Sequence, residues 1–133
     1  MLQQSIFQVP LAAILTLTSG AGATQFSDTM GPSAGFYWCV RRLAVQGYTA
    51  GTVTIYKNAP PVGGVIIGTP EVFLPVPQAG NFYLGKSEGM LNPTDALSIA
   101  ATGITLATGY AGIQVNGTAD CFPASLLWSY LGL

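Results

Sequence analysis

The chain has 133 residues, enough for one domain with a real core and too few for two comfortable ones. Half of its residues are hydrophobic and only 7% are charged, against about 25% in ordinary soluble domains. Four basic and five acidic residues leave a net charge of -1, which supplies neither a basic patch for nucleic acid nor an acidic binding tail.

Residues 1–9 carry no turn signal, and Pro10 introduces a strand over 11–18. Its alternation sets Leu11, Ala13, Leu15 and Leu17 on one face and Ala12, Ile14, Thr16 and Thr18 on the other. The apolar run 10–17, PLAAILTL, with small residues at 19–23, raises the question of a secretory signal. Against it, MLQQSIFQ at the start has no Lys or Arg and Pro10 interrupts the run. The run is also too short to span a bilayer. The expectation is a cytosolically made chain with an arm and first strand over 1–17, a sandwich core over 18–121 and an apolar tail over 122–133. Gly20-Ala21-Gly22 allows a turn, 23–27 a short return strand, and DTMGPSAG at 28–35 is a loop by composition.

The stretch that organises the rest is 36–57, FYWCVRRLAVQGYTAGTVTIYK. It predicts a central strand pair, 36–46 and 52–57, joined by Gly-Tyr-Thr-Ala-Gly. Strict alternation places Tyr37, Cys39, Arg41, Leu43 and Val45 on one face, and Phe36, Trp38, Val40, Arg42 and Ala44 on the other. NAPPVGG at 58–64 is a loop, and 65–67 is a short apolar run. A strand over 71–76 should point Val72, Leu74 and Val76 inward. Pro70, Pro75 and Pro77 confine it to a sheet edge. Further strands are expected at 81–84, 96–101 and 109–116, with turns at 85–89, 91–95 and Asn116-Gly117. The tail, with Pro123 and then ASLLWSYLGL, reads as a short helix bearing Leu126, Leu127, Tyr130 and Leu131 on one side, or as an extended arm. Short strands between Gly/Pro/Asn turns, with no sustained helical period, predict an all-β antiparallel sandwich, jelly-roll-like, of seven to eight strands.

No catalytic constellation stands out. The chain has no His, the commonest general base and metal ligand. Asp28, Glu71, Glu88, Asp95 and Asp120 are never closer than seven positions, and most fall in predicted turns. A hydroxyl nucleophile would have to rely on Lys57 or Lys86, both beside turns. The glycines at 31–35 and 63–68 lack the following Lys-Ser/Thr and helix of a phosphate loop. Asn116-Gly117-Thr118 is formally a glycosylation sequon and reads here as a hairpin turn. Cys39 and Cys121 match no zinc or redox spacing; they read as buried free thiols, the alternative being a pair across the sandwich in a chain matured in an oxidising compartment. No catalytic, cofactor-binding or metal-ligating residue is therefore expected, and no cofactor.

Interface features are better represented. So little charge implies that part of the surface is buried against other chains; the alternative is a neutral Thr/Ser/Gly surface that stays wet. Adjacent strand residues point oppositely, so one of Arg41 and Arg42 should face inward or towards a neighbour, where Arg suits bidentate carboxylate contacts. The alternative is an edge pair that deters aggregation. Tyr37, Trp38, Tyr48, Tyr56, Phe82, Tyr83, Trp128 and Tyr130 could stack on sugars, or pack the core and an interface. The candidate interface set is Arg41, Arg42, Trp38, Leu11, Leu15, Trp128, Tyr130 and Leu131. The arm and the tail are the candidate inter-subunit segments.

The order of WCVRRLAV and VTIYKN within 38–58, LNPTDALSIAATG at 91–103, GYAGIQVNGTA at 109–119 and WSYL at 128–131 resembles small β-sandwich virion proteins of tailed bacteriophages. The resemblance implies a structural, non-enzymatic protein that forms symmetric homo-oligomers, without fixing its place on the particle. The preferred expectation is that it decorates or cements the capsid by bridging copies of the major capsid protein. It implies a virion location after assembly in the host cytoplasm, with no direct nucleic-acid or membrane partner. A tail, collar or head-to-tail connector component is the alternative within that family. A carbohydrate-binding module is the alternative outside it.

Overall fold

The computed structural model describes residues 6–16, 25–26, 30–57, 61–62, 65–66 and 71–132. Leu17, the turn at 20–22, Asp28 and most of the loop at 58–64 lie outside them. Eleven strands are formed among the described residues: β1 (Phe7–Thr16), β2 (Gln25–Phe26), β3 (Phe36–Gln46), β4 (Tyr48–Lys57), β5 (Pro61–Val62), β6 (Val65–Ile66), β7 (Glu71–Val76), β8 (Gly80–Tyr83), β9 (Met90–Leu91), β10 (Leu97–Leu106) and β11 (Gly112–Pro123). A 3-10 turn (Ala124–Leu126) and a short helix, α1 (Leu127–Leu131), close the chain.

The protein is an all-β sandwich of two antiparallel sheets. The first runs β1-β11-β3-β8, with β9 also on β3, and the second runs β2-β10-β4-β7. β5 and β6 form a separate two-stranded ribbon, and with the two-residue β9 they account for the three strands beyond eight. The eight main strands pair first with last: β1 with β11, β2 with β10, β3 with β8 and β4 with β7. That nested order, split over two sheets, is the jelly-roll arrangement.

β3 and β4 are not paired with each other. A single residue, Gly47, turns the chain from the first sheet into the second, so Tyr48–Gly51 belong to a strand rather than to the expected connection. Gly47 has φ +107, and a Cβ there would meet the Gly112 carbonyl oxygen at 2.5 Å. Only glycine suits this corner.

Side chains from both sheets meet in one core, among them Leu11, Leu15, Val40, Leu43, Val45, Ile55, Leu97, Ile99, Ile113 and Val115. Alternation along β3 breaks once. Thr118 pairs with Arg42 and Ala119 with Val40, so Arg41 is the extra residue of a bulge. Val40 before it and Leu43 and Val45 after it are all buried. The expected faces therefore hold only locally, and neither arginine enters the core. Gly117, expected in a turn, sits mid-strand in β11, where a Cβ would collide with the Arg42 carbonyl. It makes room for the bulged strand.

β7 does lie at a sheet edge. A shift of register at Phe73 turns Val72 outward, contrary to expectation, while Phe73, Leu74 and Val76 pack inward.

Candidate functional site

The most organised cluster of polar side chains sits on the outer face of the first sheet, beneath the C-terminal helix. Cys39 and Phe122 face away from the sandwich core and form a second apolar cluster with Tyr130, against which Tyr37, Met90, Leu126 and Leu127 pack. Pro123 ends β11, the Ala124 amide donates to the Gly35 carbonyl at 3.1 Å, and the chain folds back over this floor. The Tyr37 and Phe122 rings stack at 5.8 Å, and Phe122 and Tyr130 at 4.4 Å. The tail is thus helical, which resolves the choice left open by its sequence.

Polar groups fasten the same helix. The Tyr130 hydroxyl donates to Asp120 Oδ2 at 2.6 Å and accepts from Arg41 Nη1 at 3.5 Å. Arg41 Nη1 stands 3.9 Å from the same carboxylate oxygen. Lys86 Nζ donates to the Tyr130 carbonyl at 2.7 Å and lies 4.5 Å from the centre of the Tyr130 ring, closing the last turn of the helix with a cation. The Cys39 thiol donates to the Lys86 carbonyl at 3.5 Å.

Burial, and then the bond to Asp120, push the Tyr130 hydroxyl far above its ordinary value. Burial raises the Cys39 thiol as well. A nucleophile is activated by the opposite shift. The chemistry of this cluster is that of a fastening, which holds protonated groups in place.

The candidate interface residues separate into three environments. Leu11 and Leu15 are each 4% exposed and belong to the core. This corrects their assignment to an interface, and the first strand is an integral part of the sheet rather than an arm. Trp38 packs against the same core. Arg41 and Tyr130 are joined in the fastening, and Tyr130 is buried. Arg42 Nη1 donates to Asn81 Oδ1 at 3.4 Å on the open part of the sheet. Trp128, at 64% exposure, and Leu131 do reach the surface.

Ile6, Phe7, Ile14 and Val72 are exposed apolar side chains outside the candidate interface set, and so is Tyr83, which was weighed only among the aromatics. For Ile14 a signal existed, because alternation opposes it to Leu11 and Leu15. Lys86 and Asp120 were missed as partners of the tail, since no local pattern ties either to Tyr130.

Of the eight aromatics considered as a sugar platform, Tyr83 and Trp128 alone are exposed. The described carboxylates each have a local partner. Glu71 pairs with Lys57 at 3.5 Å, Glu88 accepts from Ser87, Asp95 from the Asn92 amide and Asp120 from Tyr130. Cys39 and Cys121 are free and buried, on opposite faces of neighbouring strands. Among the described residues, no three His, Cys, Asp or Glu side chains gather as a metal site, and no helix is long and apolar enough to cross a membrane. No protein-family model, curated protein or solved structure matches the chain.

Proposed function

We propose that this protein is a structural component of a tailed-phage particle, where it multimerises and decorates or cements the capsid by bridging capsid subunits. The observation that carries the reading is the combination of a 7% charge content with large apolar side chains left on the surface of the sandwich. Trp128, Tyr83 and Ile14 are each more than half exposed, and aromatic and aliphatic anchors of this kind dominate the energy of protein interfaces. Each would contribute about 25 cal/mol per Å2 of apolar area covered, less the entropy of association. The jelly-roll arrangement recurs in viral coat proteins and in lectins, and this step from fold to role is an analogy.

Co-sedimentation with shells of the major capsid protein tests the proposal. The chain should pellet with the shells, and Trp128→Ser combined with Leu131→Ser should release it without changing its melting temperature. Failure of the unaltered chain to bind shells would contradict a capsid role. Exposure of Tyr83 and Trp128 supports the carbohydrate-binding alternative, which a glycan array would reveal as saturable binding lost in Tyr83→Ala.

A further inference from the structure

Each sheet of the sandwich ends in strands whose outer hydrogen-bonding groups have no ladder among the described residues. Native proteins blunt such edges by shortness, proline, bulges or charge. Among the described residues, three of the four edges carry those devices. β8 and β9 divide one edge of the first sheet into pieces of four and two residues. In the second sheet β2 contributes two residues. β7 carries Pro75, a bulge at Phe73 and Glu71.

β1 is different. It is ten residues long and pairs with β11 through ten consecutive positions with no shift of register. Its sequence, FQVPLAAILT, contains no charged residue. Pro10 is its one blunting feature, and it leaves the segment from Leu11 to Thr16 uninterrupted. On the outer face beside this edge, Ala12 and Ile14 are exposed, Ile14 by 63%.

We propose that two copies of the chain join through their β1 strands, antiparallel and edge to edge, so that the two first sheets become one continuous sheet. A two-fold interface sets a surface against itself, so any charge on it meets its own copy, and like charges opposite one another destabilise a ladder. β1 meets no such penalty. The antiparallel pair satisfies, in both copies, the outward backbone groups of Leu11–Thr16 that have no ladder among the described residues, and it brings the two Ile14 side chains onto one face. A single strand pair buries less than a standard interface, so the dimer is weak and dependent on concentration. The inference rests on the self-association in the reading above and assigns it a surface.

Sedimentation equilibrium of the full chain tests it, with hydrogen exchange at low and high protein concentration. The unaltered chain should dimerise, and the amides of 11–16 should gain protection as concentration rises. Ile14→Lys, and independently Ala12→Lys, place a lysine on the exposed face at the edge. Each should weaken dimerisation about tenfold or more, while Val72→Lys on β7 should leave it unchanged. Dimerisation that survives both lysines, with no added protection at 11–16, would overturn the β1 assignment and leave the particle role standing. A chain that remains monomeric throughout would overturn self-pairing altogether. Binding of that monomer to capsid shells would then show whether the particle role survives without it.

Discussion

At the scale of single residues, backbone space and protonation decide more than side-chain identity. Gly117 faces the Arg42 carbonyl, so Gly117→Ala requires the bulged strand to move. Strain of this kind costs about 1–3 kcal/mol, and urea unfolding should show a lower midpoint with the slope unchanged. Tyr130→Phe keeps the ring stack and removes the hydroxyl from Asp120. A hydrogen bond to a charged group contributes about 1.5–3 kcal/mol. The loss should appear as faster hydrogen exchange over 124–132 before any global unfolding. The raised Tyr130 hydroxyl also gives a pH dependence. The folded chain holds that proton after the unfolded chain has released it, so the contribution is complete below the ordinary value of about 10 and shrinks as pH rises above it. Burial raises Tyr48, Cys39 and Cys121 in the same sense. Stability should therefore fall from about pH 9 upwards, and the fall should be shallower in Tyr130→Phe.

At the scale of elements, β1 carries the clearest consequence. Removing residues 7–16 strips Leu11 and Leu15 from the core and leaves β11 without its neighbour. Each lost core leucine costs about 2–5 kcal/mol, against a total of about 5–15 kcal/mol for a domain. The shortened chain should lose its cooperative thermal transition in circular dichroism, in contrast to a removable arm. Much of this level was legible from alternation and turn residues: the positions of β3 and β7, the first half of β10, the edge placement of β7, and a second short strand at Gln25–Phe26. The bulge at Arg41 was not legible, because alternation assumes an unbroken period of two and Gly117, which leaves room beside it, lies on another strand. Asn116-Gly117 shows the same limit. The pair is a good turn by local chemistry, yet here it crosses the middle of a sheet. The helix fastening depends on Lys86 and Asp120, which meet Tyr130 only after β3, β11 and the 85–89 turn are assembled.

At the scale of the whole molecule, the nested pairing of first strand with last explains why the termini matter. β1 and β11 are the ends of the chain's strand order and lie side by side, and α1 seals the outer face just beyond them. Among the described residues, the β1 edge stays open with Ile14 on the outer face beside it, as do Tyr83 on β8 at the opposite edge of that sheet and Trp128 on the helix. A molecule with so little charge and these openings fits a role in assembly. The most direct test of the proposed virion role is quantitative mass spectrometry of particles purified from cultures of the source that carries this sequence, measured against the major capsid protein. The account predicts the chain in many copies, in a fixed ratio to the capsid protein. Particles that contain none of it would contradict the account.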